Sequence, residues 1–222
     1  MYLGPVSSPE PASDLTAAGP VAEVTDRRTR RRQEGRDRVY RAAVELFVDR
    51  GFEATTMEDI AERADVARTT VFNYFQRKTA FLDQWSALRR QKALAAVQRR
   101  HLGDHPLPEI LGRYMIELAR LSTSARAETV ALMGAAIYSS NLLSGQPLAL
   151  EMAGFIARAQ AAGEVRADVV ADMAGTLVAT GYFAVLAQWI AAEPTPFDLE
   201  SRLLQMVDLI CAGLIAAPAS AR

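Results

Sequence analysis

The sequence predicts an all-α protein with a small N-terminal domain and a larger helical C-terminal domain. Ala and Leu are abundant, and the alternating β-branched pattern typical of strands is nearly absent. Half of the 222 residues are apolar, which is enough to form two buried cores. Apolar side chains also recur at helical spacing over most of the chain. We expect a leader over residues 1–33, a small domain over 34–80 and the larger domain over 81–222.

The leader has a low-complexity start and a basic end. Residues 1–24 are rich in Pro, Ala, Ser and Gly and lack the pattern of a signal peptide, so we expect disorder there. Residues 25–41 carry eight Arg against three acidic residues, although the whole chain has a formal net charge of −1. Any contact with nucleic acid must therefore be local. Five Arg residues lie close together in this basic end, and we favour the interpretation that they form a DNA-contacting arm. The alternative is a flexible, solubilising leader. The residues are Arg27, Arg28, Arg30, Arg31 and Arg32.

The small domain should contain three helices, the first over residues 36–50. Gly51 follows this helix at a position that favours a left-handed residue. The second helix begins after Thr56, whose hydroxyl can cap it, with Asp59 in place of the Glu of a capping box. The apolar stripes are Val39, Ala42, Ala43, Leu46 and Phe47 on helix one, and Met57, Ile60, Ala61 and Ala64 on helix two.

The third helix follows a turn at Asp65. Val71, Phe72 and Phe75 are expected to point into the core. The outer face is left to Arg68, Thr69, Asn73 and Gln76. Two short helices that cross at small Ala residues, with a polar outer face on the second, predict a DNA-reading helix-turn-helix.

The stretch GFEATTMEDIAERADVARTTVFNYFQRKTAFL, residues 51–82, resembles the DNA-binding domain of the TetR family of bacterial one-component transcriptional regulators. The shared features are a Gly-aromatic pair, a Thr pair, Asp-Ile-Ala, and an aromatic-x-aromatic-Phe ahead of a Lys. Three positions depart from the family pattern. Asp65 replaces a Gly, Ala67 replaces the Ser that usually caps the recognition helix, and Glu58 is acidic where a basic or polar residue is common.

The resemblance implies that this domain binds double-stranded operator DNA. Arg68 can pair with a guanine edge, and Asn73 with an adenine edge or a phosphate. Thr69 and Thr70 fit a thymine methyl or a phosphate, whereas Tyr74 and Lys78 match residues that grip the DNA backbone. The predicted DNA-binding residues are Thr56, Arg68, Thr69, Thr70, Asn73, Tyr74 and Lys78.

A long helix over residues 79–100 should link the two domains. Phe81, Leu82, Trp85 and Leu88 would form its apolar face, and its Arg and Lys residues, Arg89 among them, would mostly cover the other side. Gly103 and Pro106 end the helix. Because they also break the helix that would place His101 and His105 on one face, a metal site formed by these two side chains is rejected in favour of a surface turn.

Five more helices are predicted over residues 108–123, 125–140, 147–162, 168–192 and 197–216. Residues 173–192 carry no charge and reach the length of a membrane span, but internal polar residues and the lack of basic flanks favour a helix buried on several sides. By resemblance, the last two helices of each subunit would form an intersubunit four-helix bundle. The residues assigned to this packing are Gly175, Gly181, Leu203, Leu204, Val207, Ile210 and Leu214.

The resemblance also implies a small-molecule pocket in the larger domain. For each residue predicted to line this pocket, ordinary packing in the core explains the residue type about as well as contact with a ligand does. Those residues are Trp85, Tyr114, Met115, Met133, Tyr138, Met152, Phe155, Tyr182 and Phe183.

These features predict a cytoplasmic, homodimeric repressor that a small, mostly apolar ligand releases from a palindromic operator. An activator or a ligand-independent regulator of the same fold is the alternative. The single Cys211 excludes an internal disulfide, which fits a reduced compartment. An enzyme is not expected, because the sequence has no nucleophile–His constellation, paired carboxylates or phosphate-binding Gly loop. No cofactor or membrane contact is expected either.

Overall fold

The chain is described in a computed structural model over residues 20–99, 105–139 and 147–215, with side chains described for 27–99, 105–136 and 147–215. This part of the chain is helical throughout, apart from turns and one isolated β-bridge between Val165 and Ile215. Its helices are α1 (Pro20–Arg50), α2 (Met57–Arg63), α3 (Arg68–Tyr74), α4 (Thr79–Arg99), α5 (Leu107–Ser124), α6 (Arg126–Ser139), α7 (Pro147–Ala161), α8 (Ala171–Ile190) and α9 (Leu199–Leu214). The all-α prediction is confirmed.

Helix α1 begins much earlier than predicted. It runs unbroken for 31 residues from Pro20, so the basic segment is helical and the expected disorder is wrong for residues 20–24. A Pro at the first helical position is a recognised start signal, and no Gly or Pro follows it until Gly35. Residues 1–19 lie outside the described part of the chain.

The helix-turn-helix forms as the local sequence dictates. Thr56 and Asp59 make the predicted capping box, in which the Thr56 Oγ accepts from the Asp59 N–H at 3.1 Å and the Asp59 carboxylate accepts from the Thr56 N–H at 2.7 Å. Asp65 makes the turn at φ 52°, and Gly51 ends α1 at φ 87°. Ala67 provides no side-chain cap for α3, because its methyl group cannot accept a hydrogen bond.

An aromatic cluster fills the core of the small domain and joins it to α4. Phe75 from the end of α3 stacks on Phe81 of α4, with ring centroids 4.0 Å apart and an interplanar angle of 24°. Phe47 of α1 meets Phe81 edge-on at 5.9 Å. Phe81 belongs to α4 and is fully buried, so α4 and the small domain share one aromatic core.

The larger domain packs α5 to α9 around the rest of α4. Helices α7 and α8 approach most closely at Gly175, where an added Cβ would lie 2.5 Å from the Ala149 carbonyl oxygen and 2.6 Å from the Ala153 nitrogen. Gly181 has a similar role, since its Cβ would lie 2.6 Å from the Met206 sulfur on α9. These two glycines therefore serve contacts inside one subunit, which corrects their assignment to the contact between subunits.

Within one subunit, helix α8 is buried on one side only. Met173 and Leu177 are 62% and 55% exposed, and Leu209 on α9 is 77% exposed. Leu203, Val207 and Leu214, which were expected to face a partner subunit, are instead buried within this one. By length and composition α8 is the one helix of the described chain that could cross a membrane.

Candidate nucleic-acid interface and interior cluster

The outer face of the helix-turn-helix carries most of the predicted DNA-binding side chains. Arg68, Thr69 and Asn73 are exposed on α3, and Thr70 and Tyr74 are half-buried beside them. Thr56 is exposed at the start of α2, where its hydroxyl donates to the Asp59 carboxylate at 2.6 Å. These bonds from Thr56 hold the pKa of Asp59 below its usual range. The short α3 therefore presents a polar surface with one cation, Arg68, at its first turn.

The basic part of α1 borders this surface. Arg28 and Arg32 line a cleft of about 450 Å³ together with Thr70, Asn73 and Tyr74 of α3. The contact depends on Gly35, because a Cβ at this position would lie 2.7 Å from the Tyr74 hydroxyl. The absence of a side chain at Gly35 thus leaves room for the Tyr74 hydroxyl against α1, and two guanidinium groups of α1 lie beside α3.

Lys78 does not extend freely from the surface. Its ammonium group donates to the carbonyl oxygens of Phe52 at 2.7 Å, Glu53 at 3.2 Å and Thr55 at 3.2 Å, and it lies 4.5 Å from the centroid of the Phe52 ring. An ammonium group has three donors, and all of them are engaged. Lys78 therefore fixes the loop between α1 and α2, a role that spacing alone did not indicate.

Phe72 lies on the surface, which corrects its predicted place in the core. Its side chain is 36% exposed, whereas Val71 and Phe75 are buried. The Arg68 guanidinium lies 5.4 Å from the centroid of the Phe72 ring and forms an ion pair with the Glu58 carboxylate on α2 at 2.7 Å. Arg68 is thus held between an aromatic face and an acid.

The interior of the larger domain holds a polar cluster around Arg89, which was expected on the outer side of α4. This residue is 7% exposed. Its guanidinium donates to Ser122 Oγ at 3.1 Å and to Thr129 Oγ1 at 2.9 Å, which compensates for part of its desolvation. It also lies 3.8 Å from the Glu128 carboxylate and stacks 4.1 Å from the Trp85 ring centroid. Burial lowers the pKa of Arg89, and the nearby acidic groups oppose that shift.

The same cluster includes two of the predicted pocket residues. The Trp85 indole donates to Glu128 at 2.6 Å, and Tyr182 bonds with Ser122 while burial raises the pKa of its hydroxyl. Tyr40 of α1 lies near enough to Glu128 and Arg89 that their charges affect the pKa of its hydroxyl, which burial raises. The cluster therefore reaches from the small domain into the larger one.

A second polar contact ties α4 to α5 and α7. The Tyr114 hydroxyl donates to the Glu151 carboxylate, which also accepts from Arg90. Burial and the Glu151 contact raise the pKa of Tyr114. The Tyr114 ring meets Phe155 edge-on at 6.1 Å. Glu151 could not be identified from the sequence, because its partners lie 37 and 61 residues away.

The other predicted pocket residues are mostly core side chains. Met115, Met133 and Met152 are buried, and Phe183 is half-buried with its ring centroid 5.2 Å from that of Tyr182. The side chain of Tyr138 lies outside the described part of the chain. All of the described members contribute apolar surface to one continuous interior.

The rejected metal interpretation concerns only one described residue. His105 Nδ1 lies 2.9 Å from a Glu109 carboxylate oxygen, in an exposed pair at the start of α5. No group of three potential ligands occurs among the described residues. His101 lies outside them.

Comparison with known proteins shows similarity to one family of bacterial regulators. A family model described as bacterial regulatory proteins, tetR family, matches residues 39–84. The regulator TcmR of Streptomyces glaucescens is 37% identical over 95 residues, which is 42% of each chain. The alignment thus spans less than half of the length of TcmR. The repressor KstR of Rhodococcus jostii is 28% identical over 202 residues, which is 89% of this chain and 92% of KstR.

A solved structure extends the likeness over both domains. FadR of Thermus thermophilus, a TetR-family repressor solved in complex with lauroyl-CoA, superimposes with a TM-score of 0.64 at 28% identity. The match covers 84% of this chain and 98% of FadR. The likeness thus extends from the helix-turn-helix into the helices around the Arg89 cluster.

Proposed function

Because the chain belongs to the TetR family of bacterial transcriptional regulators, we propose that it is a cytoplasmic homodimeric repressor that reads a near-palindromic operator. The observation that carries this proposal is the outer face of α3, where Arg68, Thr69 and Asn73 are exposed together on a capped helix-turn-helix. A two-fold axis would place two such faces about 34–36 Å apart, or a multiple of that distance. Residues 34–80 would form the DNA-binding domain, and residues 81–222 the ligand-binding and dimerisation domain.

We assign the contacts by chemistry. Arg68 and Asn73 read base edges, Thr69 and Thr70 meet a thymine methyl or a phosphate, and Tyr74 grips the backbone. Arg28 and Arg32 add phosphate contacts from α1, in keeping with the cleft that they share with α3. Thr56 and Lys78 serve the same face by fixing the start of α2 and the loop before it.

The dimer would form through the outward faces of α8 and α9. Exposed Met173, Leu177 and Leu209 support this assignment, because a monomer rarely leaves several large apolar side chains exposed on adjacent helices. The two helices of one subunit and their symmetry mates would then form a four-helix bundle. Size-exclusion chromatography with light scattering should give the mass of two chains, and Leu177→Glu should give the mass of one.

Release of the operator would follow from a ligand that prefers a conformer with a different spacing of the two α3 helices. A preference worth about 1–3 kcal/mol is typical of such coupling. Phe81 and Arg89 both lie on α4, so this helix would connect the interior with the small domain. The ligand is proposed to be small and mostly apolar, given the Met and aromatic residues of the interior. Lauroyl-CoA, bound by FadR, is a reasonable first compound to test.

The deciding experiment is selection of bound DNA from a random pool at physiological salt. An inverted repeat is expected, and Arg68→Ala should relax the preference at one base pair of each half-site. Reporter transcription from a promoter with this repeat should rise when the protein is absent. A fall would favour the alternative, an activator of the same fold. Failure of folded, dimeric protein to select any sequence would refute the proposal.

A further inference from the structure

Two side chains restrain the one cation on the outer face of α3. The Arg68 guanidinium forms an ion pair with Glu58 at 2.7 Å and lies 5.4 Å from the centroid of the Phe72 ring, four residues further along the helix. All three side chains are exposed, at 64% for Arg68, 52% for Glu58 and 36% for Phe72. We call these residues the Glu58–Arg68–Phe72 clamp.

The clamp is poorly explained as a device for stability. An exposed ion pair contributes little to folding, because water solvates both charges and long side chains lose entropy when they are held. Phe72 would contribute more to the free energy of folding if its ring were buried in the core. The carboxylate also sits on the DNA-facing side, where it repels phosphates. A more specific function has to account for the arrangement.

The geometry leaves Arg68 partly free to bind DNA. Arg has five N–H donors, and the contact with Glu58 uses the Nη2 group. A guanidinium has two bidentate edges, Nε with Nη2 and Nη1 with Nη2, and each edge uses a different hydrogen of Nη2. A single carboxylate oxygen at Nη2 therefore leaves one edge available for acceptors such as O6 and N7 of guanine. A guanidinium that is already oriented loses less side-chain entropy when it meets a base.

We propose that Glu58 and Phe72 are positioning residues that orient Arg68 for a guanine, so that the clamp determines sequence preference. The proposal rests on the proposed function, because it assigns a role to residues of the same DNA-binding face. The negative charge of Glu58 also lowers the attraction to DNA in general, and this effect by itself leaves the ratio of Kd between the operator and other sequences unchanged. Phe72 provides the flat surface on which the guanidinium lies.

The test compares Glu58→Gln with the matched control Glu62→Gln, which removes the same charge four residues later on α2. For each protein we would measure the ratio of Kd between the selected operator and an operator whose Arg68-dependent guanine is replaced by adenine. A well-formed bidentate contact discriminates by about 10-fold or more. Glu58→Gln should lower this ratio several-fold, Phe72→Ala should do the same, and Glu62→Gln should leave it unchanged.

Two further measurements separate positioning from general charge effects. In an Arg68→Ala background, Glu58→Gln should no longer change the ratio, because the two residues act through one contact. NMR relaxation of the Arg68 Nε–H group in the free protein should show greater mobility in Glu58→Gln than in the wild type. Circular dichroism would confirm that each variant is folded.

The outcomes distinguish this inference from the function on which it rests. If the wild type selects an operator but Glu58→Gln raises affinity for all DNA equally and keeps the ratio, the positioning role is overturned and the proposed function stands. Equal mobility of Arg68 Nε–H in the two proteins would also overturn it. If the wild type selects no operator, the proposed function fails and this inference fails with it.

Discussion

Replacing Lys78 with Met removes the ammonium group that fixes the loop between α1 and α2 and keeps most of the side-chain stem. The bonds to the Phe52 and Thr55 carbonyls are partly buried, at 2.7 and 3.2 Å, whereas the bond to Glu53 is exposed. A hydrogen bond to a charged group contributes about 1.5–3 kcal/mol. Because the Lys78 side chain is 24% exposed, water can solvate part of what is lost. We therefore count two bonds at the lower value and expect a loss of about 3 kcal/mol.

The assay is urea unfolding followed by circular dichroism at a fixed protein concentration, since the proposed dimerisation would make stability depend on concentration. Arg77→Met is the matched control. The Arg77 side chain is 73% exposed and pairs only with Asp83, at 3.4 Å, so its loss should change the free energy of unfolding by about 0.5 kcal/mol or less. DNA affinity of Lys78→Met should fall for all sequences alike.

One result would refute this reasoning. If Lys78→Met unfolded with the free energy of the wild type, and its DNA binding merely lost about one unit of salt slope, Lys78 would be a direct phosphate contact. Its three carbonyl contacts would then be an arrangement of the free protein that DNA replaces.

Three further substitutions or measurements test other parts of the fold. Gly175→Ala should destabilise the protein by about 1–3 kcal/mol, because the new Cβ meets the backbone of α7, whereas Gly134→Ala, with open space around it, should be neutral or stabilising in the same unfolding assay. Thr56→Ala should lose about 1 kcal/mol of stability with the cap, and an NMR titration should show a higher pKa for Asp59. Burial raises the pKa of Cys211 to about 11. The stability that the neutral thiol contributes should therefore be fully present below the pKa of the thiol in the unfolded chain and should decline as the pH rises through about 11. Alkylation of Cys211 should be slow until the protein unfolds.

The parts of the fold that local chemistry determines could be predicted from the sequence. The cap at Thr56 and the turn at Asp65 depend on residues within one helical turn. Phe72 shows the limit of this approach, because Val71 and Phe72 both fit a stripe that ends at Phe75. A helix of seven residues is too short for periodicity to decide which one is buried.

The remaining features depend on contacts between distant residues. Arg89 was assigned to the surface because of its charge, but Ser122 and Thr129, which bond to it, lie 33 and 40 residues away. The early start of α1 was missed for a different reason. Composition favoured disorder, although the Pro20 start signal was present in the sequence.

Because α1 is continuous, the direction in which each of its arginines points is determined by the position of that residue along the helix. A helix of 31 residues is a rod of about 46 Å with no joint, so Arg28 and Arg32 reach the cleft only at one angle about its axis. One residue inserted between Arg32 and Gly35 would rotate both guanidinium groups by about 100° and turn them away from α3. An insertion of four residues would nearly restore the angle, but about 6 Å further along the axis. The placement of these two arginines beside α3 is therefore periodic in the length of the helix, whereas a flexible arm would have no such period.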